Sequence, residues 1–231
     1  MTHFRCAVFS YDPNGFDALL APYSETDEEY FEFTPLSNEN ILWLRERYNK
    51  DIEDKKLLKD VSFPEWAKAR GYTYQNGSIG IMENANAKWD YYTLDGGDWE
   101  FEFKDGETYD DRGHARKNQF TYRETEYSEN ECRKHYANMQ KLADNRDGDN
   151  YEYINSFLTE YPTVESYLEY SQWAVPYAYI TPDGEWHAPG NVGWFAASDD
   201  TPETRNAYFE EWKAWVNSPD NPYVNFVDCH I

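Results

Sequence analysis

The chain has 231 residues, enough for one large domain or two small ones with a substantial core. Its 44 acidic and 21 basic side chains give a formal charge of −23, which repels phosphate backbones and excludes ordinary DNA or RNA binding. With 21 Tyr, 13 Phe and 9 Trp, the expectation is an aromatic-rich core whose polar tips need hydrogen-bond partners, not a disordered chain.

Residues 3–11, HFRCAVFSY, alternate as a strand with Phe4, Cys6 and Val8 on one face, and DPNG (12–15) turns the chain. EYFEFT (29–34) reads as a second strand. In residues 37–60, Ile41, Leu44, Tyr48 and Ile52 recur at spacings of three and four, so an amphipathic helix is expected, capped by Ser37 or Asn38. A shorter helix follows over 62–72, with Ser62 as cap, Pro64 in the first turn and Gly71 at the end.

Residues 88–103 read as two strands joined by a DGGD turn (95–98), and 104–118 as an exposed, charged loop. Residues 128–144 are helical, with Ser128 and Glu131 as a capping box. DNRDGDN (144–150) is a turn, and 163–173 is a helix entered through Pro162 and Thr163. Residues 174–187 form a strand, a Pro-Asp-Gly turn and a strand. The helix over 201–218 starts at Thr201 and Pro202, but Thr204 stands where the acidic partner of a capping box belongs. YVNFVDCHI (223–231) closes the chain as a strand. The order implies a single α+β domain over residues 1–231, a mixed or antiparallel sheet with several flanking helices. If the first and last strands are neighbours, His3 and His230 lie close.

Three widely spaced cysteines, Cys6, Cys132 and Cys229, give no disulfide framework and point to a reducing compartment. No run approaches the roughly 18 apolar residues of a membrane span, and the N-terminus lacks a secretion-signal pattern. A cytoplasmic protein without membrane association is expected.

The chemistry-bearing motifs are sparse. Cys132 and His135 offer two metal ligands on a helix, but no second pair follows, so no metal is expected. The spacing around Gly96 and Gly97 fits neither phosphate-loop fingerprint, and Asp95 and Asp98 would repel a phosphate. No nucleophile motif is present, and no cofactor is implied. What remains is acid–base chemistry from His187, His230, Asp90, Asp228 and Lys88. Trp89, Tyr91, Tyr92, Trp99, Trp186 and Trp194 have the rings to stack a base, worth roughly 1–3 kcal/mol each, and equally to fill a core.

The segment ENANAKWDYYTLDGGDW (83–99) resembles the most distinctive block of a family of uncharacterised accessory proteins of tailed phages, N-x-x-x-K-W-D-x-Y followed by G-G-x-W. LLAPYSE (19–25), TPDGEWHAPGNVGWF (181–195) and VDCHI (227–231) resemble its weaker blocks, so the likeness touches both ends and the middle. Ala85 replaces the family's proline, Asp95 is an extra residue, and Asp98 stands where an arginine is usual; the aspartate moves any anion contact to Lys88 or elsewhere. The resemblance implies a phage protein acting against host defence in the bacterial cytoplasm. The first expectation is a binder or hydrolase of a nucleotide-type immune signal. In it Lys88, Trp89, Asp90, Tyr92, Trp99, Trp186 and Trp194 would form the ligand site, with His187 and His230 as the catalytic proton-transfer residues and Asp228 or Asp90 orienting a histidine. The alternative is an acidic inhibitor or DNA mimic that binds a host defence protein; a structural or assembly accessory is the third.

Overall fold

The computed structural model describes residues 3–54, 61–94, 101–124, 127–144, 151–191 and 198–231. The fold is α+β. In chain order the elements are β1 (His3–Ser10), α1 (Phe16–Leu20), β2 (Glu32–Pro35), α2 (Asn38–Glu53), α3 (Phe63–Lys68), β3 (Thr73–Gln75), β4 (Ser78–Glu83) and β5 (Tyr91–Thr93). Then follow α4 (Glu129–Asp144), α5 (Tyr151–Glu160), α6 (Val164–Ser171), β6 (Ala178–Ile180), β7 (Trp186–His187), α7 (Pro202–Val216) and β8 (Tyr223–His230). Among the described residues no helix is long and apolar enough to cross a membrane. The chain packs as two compact units, Ala21–Ala87 and Met1–Leu20 with Lys88–Ile231.

The smaller unit is a three-stranded antiparallel sheet, β2-β4-β3, with α2 and α3. Its core is Leu44, Trp66, Ala67 and Ile79, with Ile41 and Tyr48 packed against them, as the helical spacing predicts. Ser37 and Ser62 cap their helices, and Ser62 forms a full capping box with Glu65. Glu29 and Tyr30, expected to begin a strand, lie in a 3₁₀ turn, Glu28–Tyr30, which Asp27 caps by accepting the Glu29 amide. The β3–β4 hairpin turns at Asn76-Gly77, both at positive φ, the dipeptide signature of a two-residue hairpin.

The larger unit is built on a mixed sheet in the order β5-β8-β1-β6-β7. β8 runs antiparallel to β1 over its whole length, pairing His3 with His230, Arg5 with Asp228, Ala7 with Phe226 and Phe9 with Val224. β6 lies parallel on the other side of β1, setting Ala7 beside Tyr179, and β7 returns antiparallel to set Tyr179 beside His187. Directly paired residues project to the same side of a sheet. One face therefore carries His3, Arg5, Ala7, Phe9, Tyr179 and His187. Its middle is sealed by Tyr208 and Trp212 of α7 and by Phe101, Phe120 and Tyr122. The opposite face carries the buried Phe4, Cys6, Val8, Ile180, Val227 and Cys229.

α4, α5 and α6 enclose a second aromatic cluster around Tyr136, Phe157 and Tyr161. α5 is a helix that the turn-rich residues before it conceal, although Ile154, Phe157 and Tyr161 follow helical spacing. At α7 the Thr204 hydroxyl takes the place of an acidic partner: it accepts from the Thr201 amide while Thr201 accepts from the Thr204 amide.

Two expectations change. Phe101 and Phe103 do not pair with β5: the Thr121 amide donates to the Glu102 carbonyl, and Phe103 bridges Phe120. β5 instead pairs with β8, because burying Phe101 against Phe226 and Trp212 outweighs local turn preference. The loop expected to be exposed over 104–118 is partly core, since Ala115 and Lys117 are 2% and 1% exposed. The DGGD turn and residues 145–150 lie outside the described residues.

Candidate functional site

The site grows from one end of the first face. Tyr91, His230 and His3 form one cross-strand row; Thr93, Asp228 and Arg5 form the next. The His3 and His230 rings meet edge to face with centroids 5.0 Å apart, and Tyr91 stacks on His230 at 4.3 Å. His230 Nδ1 donates to Asp90 Oδ1 at 2.6 Å, and His3 Nδ1 donates to Asp228 Oδ2 at 2.9 Å. Asp90 is itself fixed, because its amide donates to the His230 carbonyl and its carboxylate accepts from the Tyr91 amide.

These contacts set the chemistry. A carboxylate on Nδ1 holds each imidazole in one orientation and leaves Nε2 as the working nitrogen. His230 Nε2 is buried and has no hydrogen-bond partner in the protein. The His3 side chain is 46% exposed, so solvent reaches its ring. Arg5 brings a guanidinium into the next row, 4.3 Å above the Phe101 ring. Burial lowers its pKa, and the Glu124 carboxylate opposes that shift.

The other predicted residues fall elsewhere. The Lys88 ammonium donates to Asn191 Oδ1 at 2.6 Å, and Asn191 is held in turn by Asp199, so this cation is engaged within the protein. Trp89 is buried and packs edge-on against Tyr92. Tyr92 pairs with Cys229, which turns it to the face opposite His230. Its hydroxyl donates to Asp17, and burial together with that carboxylate raises its pKa. Trp186 lies on the face opposite His187, edge-on to Phe4. Trp99 and Trp194 lie outside the described residues.

His187 is not beside His230. The ladder puts it three strands away and four residues further along, on the order of 20 Å at ordinary strand spacings. It stacks flat on Tyr179 at 4.5 Å and donates from Nδ1 to Glu211 at 3.0 Å. Sequence reasoning selected Asp90, Asp228 and His230, and it paired His3 with His230 through the neighbouring end strands. It missed Arg5 and offered Tyr91 only as a base-stacking ring; the register brings both into place. Among the described residues no group of three or more His, Cys, Asp and Glu is placed to hold a metal ion. No protein-family model matches the chain, and neither the curated proteins nor the solved structures contain a significant match.

Proposed function

We propose that the chain is a phage counter-defence protein that binds a nucleotide-type signalling molecule and hydrolyses a phosphodiester in it. The observation that carries the reading is the paired imidazoles, 5.0 Å apart, each anchored to its own carboxylate. Displacement at phosphorus needs a base on the attacking oxygen and an acid on the leaving oxygen. In this reading substrate entry displaces the side chains covering His230, and its Nε2, buried in the free chain, takes a proton from the attacking water. The new P–O bond forms, the bond to the leaving alkoxide breaks, and that oxygen takes a proton from His3. The products are a phosphomonoester and an alcohol. Asp90 and Asp228 position the rings, and Arg5 supports the charge on phosphorus.

The charge of −23 disfavours long nucleic acids, whose repulsion sums over many phosphates, far more than a short nucleotide. The phage origin rests on the resemblance carried by residues 83–99 and the later blocks. The test is incubation of the purified protein with cyclic and linear nucleotides, followed by mass spectrometry. The expected result is one nucleotide gaining the mass of a water, with conversion lost in a His3→Gln, His230→Gln double variant that still binds it. An unchanged panel, or equal conversion by the double variant, overturns the reading. Salt-sensitive capture of a basic host protein without any nucleotide change would favour the acidic inhibitor instead.

A further inference from the structure

A pocket of about 500 Å³ opens at the opposite edge of the same sheet, between the β6–β7 turn and the C-terminal end of α7. Its floor is aromatic. The Tyr179 ring lies nearly parallel to both His187, at 4.5 Å and 4°, and Trp215, at 6.4 Å and 10°. Its walls are acidic: Asp183 and Glu185 come from the turn, Glu211 from α7, and Asp220 from the segment before β8. No Lys or Arg is among the lining residues. The Trp215 indole N–H and His187 Nε2 are buried without hydrogen-bond partners in the protein.

The basic side chains near this pocket are already engaged. His187 donates to Glu211, and its Nε2 lies 3.9 Å from Glu185. Lys117 sits with its ammonium 4.7 Å from the Trp215 ring centre, but it donates to the Trp215 carbonyl and to the carbonyl and hydroxyl of Ser218. Burial pulls its pKa down to about 8, and the Asp220 carboxylate opposes that shift. Four acidic side chains thus line an open, aromatic-floored space. A phosphate is repelled from it and an organic cation is attracted.

The chain sets both kinds of cation in such surroundings: the Lys213 ammonium lies 4.5 Å from the Phe209 ring centre and bonds Glu169 and Glu210. Arg70 lies 4.1 Å above Trp66 while its guanidinium bonds Asp51 at 2.8 Å, and the Trp66 indole donates to the same carboxylate. Arg116 lies 4.1 Å above Tyr223 and Arg123 lies 3.8 Å above Trp173. A guanidinium is flat, stacks on rings and presents a fork of N–H donors to carboxylates; a point-like ammonium does only part of this. The pocket combines the same ring and carboxylate chemistry around a space large enough for a small ligand.

We infer that the pocket bounded by Tyr179, Trp215, Asp183 and Glu211 is a binding site for an alkylguanidinium group. The inference is independent of the nucleotide reading, since it concerns the other end of the sheet and ligands of opposite charge. The experiment is calorimetric titration of the full chain with three probes: agmatine, acetyl-arginine amide and n-butylammonium. Saturable binding of agmatine or acetyl-arginine amide is expected, with butylammonium weaker by about tenfold or more. Acetyl-arginine amide and butylammonium are both monocations, so their ratio reads the guanidinium alone, whereas agmatine carries a second positive charge. A Glu211→Gln, Asp183→Asn variant changes two exposed side chains and is expected to weaken binding by at least about tenfold with the fold intact by circular dichroism. No binding of either guanidinium probe, equal binding of butylammonium, or unchanged binding by the variant would overturn it.

Discussion

His230 and His187 are built alike and placed differently. Each stacks on a tyrosine, Tyr91 at 4.3 Å and Tyr179 at 4.5 Å. Each gives Nδ1 to a carboxylate, and each has a buried Nε2 without a hydrogen-bond partner in the protein. The neighbours separate them. His230 meets a second imidazole, so the pair has the parts for proton exchange. His187 instead has Glu211 at 3.0 Å and Glu185 at 3.9 Å, with no second imidazole stacked against it among the described residues. The lesson is that a tyrosine–histidine–carboxylate unit does not define a function; the second group within reach does.

The most disruptive way to break the comparison is to remove what lies between the two ends. Trp212 is fully buried, contacts Phe101, Tyr122 and Tyr179, and donates its indole N–H to the Ala174 carbonyl. Trp212→Ala is expected to cost about 3–5 kcal/mol, measured by urea unfolding, and to impair both ends together. A loss under about 1 kcal/mol would mean that the shared aromatic core does not support this face.

Asp90→Asn sharpens the comparison at one end. The amide no longer stabilises an imidazolium at His230, so nucleotide conversion should fall by roughly 10²–10³-fold while agmatine binding is unchanged. Conversion within about twofold of wild type would remove Asp90 from the positioning role.

Lys117 gives a prediction in pH. Its folded-state pKa is about 8, below the ordinary 10.5, because burial penalises the ammonium. Above about 8 the folded chain releases that proton while the unfolded chain keeps it, so stability rises with pH from there. Buried Tyr122 has its pKa raised above the usual 10, so the folded state resists ionisation and stability falls as the unfolded tyrosines ionise. Burial likewise raises the Cys6 thiol, which lowers stability over the same range, so the Lys117 contribution is read as a difference: thermal melts between about pH 8 and 10 should fall off more steeply for Lys117→Met than for the unaltered chain. Parallel curves for the two would remove Lys117 from the pH dependence.

The smallest effect concerns α7, which carries both Trp212 and Glu211. Thr201→Ala removes its cap and should cost about 1 kcal/mol. A neutral substitution would mean that the reciprocal hydroxyl pair with Thr204 adds nothing to the helix.

Much of the fold was legible locally. Ser37, Ser62, Thr163 and Thr201 mark helix starts by residue type, and the alternation of β1 and β8 reads directly. Asn76-Gly77 carried a hairpin signal as clear as the one read at DGGD. The pairing of Phe103 with Phe120 was not legible, because long-range aromatic burial decided it. The site divides the same way. Asp90, Asp228 and His230 stand out by chemistry, but their partners are set across 140 and 225 positions of chain. Only the strand register decides which carboxylate meets which imidazole, and a one-residue slip would turn every one of them to the other face.

The measurement that tests the central claim most directly compares single-turnover nucleotide conversion by His230→Gln and His187→Gln. The account predicts a loss of roughly 10²–10⁴-fold in the first and a change within about twofold in the second. Equal losses in both, or an active His230→Gln variant, would contradict it.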